Sequence, residues 1–232
     1  MSGYRMRRKT RGANYIAANS SLTLPWAYSN SVDDGTHGVF PEFFYNFSNT
    51  SGFNADLGIV FRGNNGWHIF AYGNGTIDGY EGWYDKKISL SPGATIDCAV
   101  YTENNKLILK VNGTAYSIPI VTDAITKLKK GCVVSREANL VPQMSISQMT
   151  PCTLLKTNAY FTGAAWSNTT LTTTSSTYVK MDSGNTLFDT ELDKNDPTVV
   201  DSGCLSHLVS TVNGYVKDEC SIDFRKRICC LK

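Results

Sequence analysis

Apolar and polar positions alternate with a period of two through the first half of the chain. Every second residue is apolar in segments 57–61 and 67–71, which a short Asn-Asn-Gly turn separates. A period of two bounded by Asn and Gly turns predicts antiparallel hairpins that bury one face. Trp67 belongs to the apolar set, which favours a core position for its ring, whereas His68 and Tyr72 are predicted on the opposite face.

One short helix interrupts the strand pattern, and we expect it near residues 122–130. Thr122 is the predicted N-cap, Ile125 and Leu128 share one face, and two lysines precede Gly131, which is a typical helix stop. The helix is too short to change the predicted class of the fold.

Strand patterns resume at residues 133–134, 144–149, 159–166 and 178–181. Many short strands between glycine-rich turns, in a chain of 232 residues, predict an all-β fold. The expected architecture is an antiparallel two-sheet β-sandwich.

Three parts of the chain differ in composition. Residues 1–20 are predicted to be a basic tail or a peripheral strand, and residues 21–200 are predicted to form the sandwich domain. Residues 201–232 contain four of the seven cysteines and are interpreted as an appendage packed on the same domain.

The charge of the chain is small and local. The net charge is +2, which is too small for nucleic-acid binding over the whole surface. Five basic residues fall in the first 11 positions: Arg5, Arg7, Arg8, Lys9 and Arg11. No run of about 18 apolar residues exists, so we expect no membrane span. Abundant aromatic residues with only 18% charged residues are typical of extracellular β-proteins, although no signal peptide is visible.

Segments 55–61, 66–70 and 90–113 resemble the concanavalin-like jelly-roll class, nearest the secreted bacterial proteins of the YrpD type. The resemblance covers roughly residues 40–120. It implies a curved sandwich and export from the cell. It implies no known activity and no functional residues.

The seven cysteines cannot all pair internally because their number is odd. A bridge among the C-terminal cysteines would tie a poorly hydrophobic segment to the domain. The disulfide candidates are Cys204, Cys220, Cys229 and Cys230. Cys98 alternates with apolar neighbours and is expected to be a small buried hydrophobe.

Metal ligands are few in this sequence. No C-x-x-C spacing occurs and the chain has three histidines, which argues against structural zinc. Calcium remains an option because three oxygen-rich stretches occur. These stretches are Asp33-Asp34-Gly35, Asp182 with Asn185, and Asp189 with Glu191 and Asp193.

Motifs of nucleophilic and nucleotide-dependent enzymes are missing from the sequence, which has no G-x-S-x-G elbow and no Walker loop. A glycoside hydrolase needs two carboxyl groups that flank the scissile bond. The candidate carboxyl groups are those of Glu42, Asp78, Glu81 and Asp85, and the last three do not alternate along one strand. A polysaccharide lyase or glycoside hydrolase of jelly-roll fold is therefore the alternative function.

Carbohydrate binding requires an aromatic ring that stacks on a sugar and polar groups that bond its hydroxyls. The segment 62–83 supplies both kinds of residue in successive strands and turns. The candidate ligand-binding residues are Arg62, His68, Tyr72, Asp78, Tyr80, Glu81 and Trp83. The sequence favours a secreted, non-catalytic protein that binds a glycan or a cell-wall polysaccharide, with a surface structural or adhesion module as a further alternative.

Overall fold

Two antiparallel sheets make up the described part of the chain. The computed structural model describes residues 4–29, 31–32, 38–142, 159–191 and 205–223. Sheet A has, in spatial order, β15 (Thr186–Glu191), β1 (Tyr4–Thr10), β12 (Val133–Pro142), β5 (Gly38–Ser48), β6 (Asn54–Phe61), β7 (Trp67–Tyr72) and β8 (Trp83–Lys87), with β4 (Ser31–Val32) beside β5. Sheet B has β11 (Thr114–Ile118), β10 (Lys106–Val111), β9 (Thr95–Glu103), β2 (Tyr15–Thr23), β13 (Tyr160–Thr173), β17 (Tyr215–Asp223) and β16 (Leu205–Val212), with β3 (Ala27–Ser29) and β14 (Tyr178–Lys180) on β13.

The core lies between the two sheets and is built by alternate residues. On β5, Phe43, Tyr45 and Phe47 point inward and are buried, while their neighbours point to the other face. Trp67 is only 3% exposed, and its Nε1 donates a hydrogen bond to the Tyr28 hydroxyl at 3.1 Å. The predicted core position of Trp67 and the predicted two-sheet sandwich are confirmed.

The short helix is present but begins later than its sequence suggested. Helix α1 spans Ala124–Leu128 and follows Asp123, not Thr122, at the N-cap position. Ala124, Ile125 and Leu128 are buried. No helix in the described part of the chain is long and apolar enough to cross a membrane.

The N-terminal residues form interior strands. β1 pairs with β12 on one side and β15 on the other, so the interpretation of residues 1–20 as a tail or peripheral strand is wrong for 4–10. Met6 and Arg8 point into the sandwich, and Arg8 finds a buried acidic partner there. Because Arg8 is charged, the alternation of inward-facing and outward-facing residues along β1 could not be recognised as an apolar–polar pattern. The predicted strand at 144–149 lies outside the described residues.

Three cysteines in the described ranges carry free, buried thiols: Cys98, Cys132 and Cys220. Cys98 is buried in the core, as its apolar neighbours predicted. Cys220 faces the interior from β17 and is not in a disulfide, contrary to its place among the bridge candidates. Cys204, Cys229 and Cys230 lie outside the described residues, so bridges among them stay a prediction.

Gly58 permits close packing on the face of sheet A that points away from sheet B. A Cβ at this position would lie 2.1 Å from the Phe43 carbonyl oxygen and 2.4 Å from the Phe44 Cβ. We expect Gly58→Ala to lower the free energy of unfolding by about 1–3 kcal/mol, because backbone or ring atoms must move. Urea denaturation measures the change. Gly12→Ala is the control, because an added Cβ there would only make an ordinary van der Waals contact, 3.8 Å from the Asn14 Nδ2. Equal stability of the two variants would contradict the prediction.

Candidate functional site

The outer face of sheet A, which points away from sheet B, carries most of the chemically interesting side chains. These residues alternate along each strand with the core residues. The strand pairing arranges them in three rows that cross the sheet. The rows are Arg5–Asn139–Glu42–Val60–His68–Lys87, then Arg7–Glu137–Phe44–Gly58–Phe70–Asp85, then Lys9–Ser135–Asn46–Asp56–Tyr72–Trp83.

An aromatic cluster occupies the β5–β8 side of this face. Its buried centre consists of Phe40, Phe44, Val60 and Phe70, and the half-buried Tyr72 and Trp83 pack against it. Phe70 stacks on Trp83 with 5.4 Å between ring centroids and 12° between planes. Tyr72 and Trp83 are 5.8 Å apart and tilted. The rings thus form a rigid group that still exposes part of two aromatic side chains.

Polar groups border the aromatic cluster. The Arg62 Nη2 is 3.1 Å from the Asp85 Oδ2, and the guanidinium lies over the Trp83 ring at 5.4 Å from its centroid. The His68 Nδ1 is 3.7 Å from the same carboxylate oxygen. Burial, aided by the Arg62 charge, lowers the pKa of His68 even though Asp85 opposes the shift. With its pKa lowered, the His68 imidazole is neutral at pH 7 and offers one hydrogen-bond donor and one acceptor.

A carboxyl cluster, made of Glu42, Asp56 and Glu137, occupies the β12–β6 side of the face. The Glu137 carboxylate is held by two neighbours on its own strand: Ser135 Oγ donates to Oε1 at 2.7 Å and Asn139 Nδ2 donates to Oε2 at 3.2 Å. Asn46 Nδ2 donates to Asp56 Oδ1 at 2.8 Å. The carboxyl groups of Glu137 and Asp56 are therefore oriented by hydrogen bonds.

Two members of the carboxyl cluster bind protons unusually tightly. Burial, together with the charges of Asp56 and Glu137, raises the pKa of Glu42 to about 8, although Arg5 and Arg62 oppose the shift. Burial and the charge of Glu137 raise the pKa of Asp56 to about 7, against a hydrogen bond from Asn46. Carboxyl groups that keep a proton near neutrality are concentrated at functional sites.

Four of the seven predicted ligand-binding residues come together on the outer face: Arg62, His68, Tyr72 and Trp83. The other three, Asp78, Tyr80 and Glu81, lie in the turn region before β8. Tyr80 is 85% exposed. Glu81 has a positive φ of 53° and belongs to the turn.

Sequence reasoning missed the carboxyl cluster. Glu42 was a candidate, but its partners Asp56 and Glu137 were not, because the pairing of β12 with β5 joins segments about 90 residues apart along the chain. Alternation within each strand could assign a face to every residue. It could not say which strands are neighbours.

Two of the aspartates proposed as calcium ligands, Asp182 and Asp189, bind other groups of the protein. Asp182 Oδ1 accepts hydrogen bonds from the backbone of Gly184 and Asn185, and Asp189 pairs with Arg7 at 2.6 Å. Among the described residues no group of three or more His, Cys, Asp or Glu side chains is placed to hold a metal ion. The Asp33–Gly35 stretch and Asp193 lie outside that part of the chain.

No protein-family model matches the sequence, and no characterised protein matches it at a significant level. Solved structures do match the fold. The SCP-B member of the eqolisin family of peptidases, in complex with the tripeptide Ala-Ile-His, has a TM-score of 0.50 at 11% identity, over 95% of this chain and 98% of the peptidase.

Two further structures share part of the sandwich. A GH16 protein of a Bacteroides ovatus mixed-linkage glucan locus, bound to a product, has a TM-score of 0.37 at 9% identity, over 62% of this chain and 69% of its own. Human galectin-16 has a TM-score of 0.31 at 12% identity, over 62% of this chain and 97% of its own. The chain is an antiparallel two-sheet β-sandwich of concanavalin-like type, and it shares this fold with the eqolisin-family peptidase.

Proposed function

We propose that this protein is a secreted carbohydrate-binding protein whose outer face on sheet A holds a glycan or cell-wall polysaccharide. One observation supports the proposal above the rest: Arg62, His68, Tyr72 and Trp83, chosen from the sequence for this chemistry, converge on one face beside Asp85. The fold itself does not choose between lectin, glucanase and peptidase, since function belongs to sites and not to folds.

The aromatic cluster and the polar groups beside it offer the two kinds of contact that a bound sugar makes. An aromatic ring packs on the apolar face of a pyranose, and fixed polar groups bond its hydroxyls. Trp83 is fixed by Phe70 and Tyr72, and the Arg62–Asp85 pair next to it offers both donors and acceptors. Both members of that pair are partly exposed. A rigid platform of this kind binds with little loss of side-chain entropy.

An extended ligand suits the length of the site. The clusters cover strands β12 to β8, and neighbouring strands in a sheet lie about 4.8 Å apart. Crossing these five strands takes roughly 19 Å on that spacing, which is room for several sugar units rather than one. Secretion is part of the proposal and is supported by the resemblance of segments 55–61 and 90–113 to exported proteins.

Trp83→Ala tests the site. We expect the variant to bind polysaccharide roughly tenfold to hundredfold more weakly, because it loses the half-buried ring that would stack on the sugar. The measurement is an array of bacterial and plant polysaccharides, followed by titration calorimetry on those that bind. Tyr178→Ala removes an aromatic side chain that is 76% exposed on sheet B and is the matched control.

Three outcomes decide the proposal. Weaker binding by Trp83→Ala alone supports it, and equal weakening by both variants would assign binding to another surface. A wild-type protein that binds no polysaccharide would contradict the proposal and favour the structural or adhesion role. Repeating the titration with EDTA shows whether binding needs calcium.

A further inference from the structure

We propose that the protein forms a symmetric dimer in which β16 pairs, antiparallel, with the β16 of a second copy of the chain. Sheet B then continues from one molecule into the other, and Val209 lies on the two-fold axis. This surface belongs to the other sheet from the proposed glycan site, so the dimer goes beyond the proposed function and does not depend on it.

β16 ends sheet B within the described part of the chain. It pairs with β17 over eight consecutive residues without a bulge, from Leu205 opposite Ile222 to Val212 opposite Tyr215. An edge strand presents a row of backbone N–H and C=O groups that another strand can bind, and natural edges are protected by charges, proline or bulges. The sequence of β16, Leu-Ser-His-Leu-Val-Ser-Thr-Val, contains no Lys, Arg, Asp, Glu or Pro.

Apolar side chains of β16 are exposed on both faces of the strand. Leu205 packs against the core, so by alternation Val209 points to the same side and Leu208 and Val212 point outward. Leu208, Val209 and Val212 are 64%, 59% and 48% exposed. Three of the seven large apolar side chains that are exposed in the described residues thus belong to this one strand. A second strand beside β16 would cover them.

The three other strands that end a sheet in the described ranges are shorter or protected. β8 carries Asp85 and two lysines, and β15 carries Asp189 and Glu191. β11 has only five residues, and the Lys86 Nζ lies 5.5 Å from the centroid of its Tyr116 ring. β16 is therefore the long, uncharged edge of the sandwich.

A second copy of β16 is complementary to β16 when the axis passes through Val209. Val209 then lies opposite itself, and Leu208 lies opposite Ser210 of the second copy. On the outer face of sheet B, Glu219 of β17 lies beside Leu208, and Lys217 lies beside Ser210. Each outward row across the dimer therefore has Glu219 of one copy at one end and Lys217 of the other copy at the opposite end.

The neighbouring registers lack this charge complementarity. An axis at Leu208 would place Glu219 in a row with its own copy. An axis at Ser210 would do the same for Lys217. Complementary charges select a register and a partner more than they add affinity.

Backbone pairing supplies the affinity of the dimer. Residues 206–212 of the two copies would form about six to eight hydrogen bonds across the axis, two for every second residue pair. Both copies use the same surface, so the contact is isologous and closes at two molecules. The dimer removes the unprotected edge from both.

Sedimentation of the whole protein over a roughly hundredfold range of concentration tests the proposal. We expect the wild-type mass to rise from the 25.5 kDa of one chain toward twice that value. Val209→Lys and Val209→Glu should each associate at least roughly tenfold more weakly, since like charges directly opposite each other repel. An equimolar mixture of the two variants should regain the dimer, because a positive charge then faces a negative one.

The control is Ala115→Lys, which adds the same charge to an exposed position on β11 at the opposite edge of sheet B. It should form dimers like the wild type. Circular dichroism checks the fold of each variant. If a change at Val209 unfolds the chain, Leu208→Lys takes its place, because that exposed side chain is also covered in the dimer.

A wild-type protein that stays monomeric overturns the proposal and leaves the β16 edge for a strand of a different protein. A dimer that Val209→Lys or Leu208→Lys leaves intact, or that Ala115→Lys weakens equally, also overturns it. A mixture of the folded Val209 variants that stays monomeric contradicts the axis at Val209. Glycan binding is read separately through Trp83→Ala, so failure of the dimer and failure of the proposed function are distinguishable.

Discussion

Asp218→Ala is expected to lower the free energy of unfolding by about 3–5 kcal/mol, since it leaves two buried guanidinium groups without their counter-ion. Arg8 reaches Asp218 through Nε at 2.7 Å and Nη2 at 2.8 Å, and Arg136 Nη2 contacts the same carboxylate. The His207 Nε2 lies 2.8 Å from its other oxygen. All four residues sit where sheet A meets sheet B.

Urea denaturation at pH 7 measures this loss. Asp123→Ala is the control, because it removes an exposed carboxylate that pairs with Lys127 one helical turn away, and exposed pairs contribute little. A loss no larger than that of the control would contradict the prediction and show that water or other groups replace Asp218.

Acid should weaken the ion pairs that Asp218 makes with Arg8 and Arg136. Burial alone would raise the pKa of Asp218, but hydrogen bonds from His207 and Arg8 and the charge of Arg136 hold it well below its usual range. A carboxyl group with a lowered pKa stabilises the folded state at pH values above its unfolded pKa. That contribution is lost as the pH falls through the folded value, so the gap between wild type and Asp218→Ala should narrow in strong acid.

Glu42→Gln is expected to stabilise the protein at alkaline pH by about 3–5 kcal/mol and to have little effect near pH 4. The folded protein holds the Glu42 proton up to a pKa of about 8, against an ordinary value of 4.5. Between these values the folded state binds more protons than the unfolded state. The free energy of unfolding must therefore fall as the pH rises from 4.5 to 8, and stay lowered above it.

Thermal and urea unfolding from pH 4 to pH 9 test whether the free energy of unfolding falls as the pH rises. Asp56→Asn should act in the same direction, since the pKa of Asp56 is raised to about 7. Wild-type stability that does not change between pH 5 and pH 9 would contradict the prediction.

Individual hairpins could be predicted from the sequence, but the pairing of strands that are distant in the chain could not. Hairpins such as β6–β7 and β9–β10 were visible because each alternation and its Asn or Gly turn are contiguous. The helix begins one residue later than the predicted cap implies, since Asp123 and not Thr122 occupies the N-cap position. The interior position of β1 was not predicted, because an inward-facing Arg8 breaks the apolar pattern and its partner Asp218 is distant in the chain.

In the candidate site, too, residues close together in the chain could be predicted and residues from distant strands could not. Tyr72 and Trp83 could be chosen from the sequence because β7 and β8 are close neighbours in the chain, whereas the phenylalanines beneath them were not foreseen. The carboxyl cluster combines β12 with β5 and β6. Its raised pKa values come from burial and from charges on other strands, which no local pattern contains.

The contact between Arg8 and Asp218 also has a consequence for synthesis of the protein. The two residues are 210 positions apart, and a core closed by contacts of such separation forms slowly. During translation, Arg8 and Arg136 have no counter-ion from β17 until residue 218 has left the ribosome. The sandwich should therefore not close around these arginines until β17 has been synthesised and has left the ribosome.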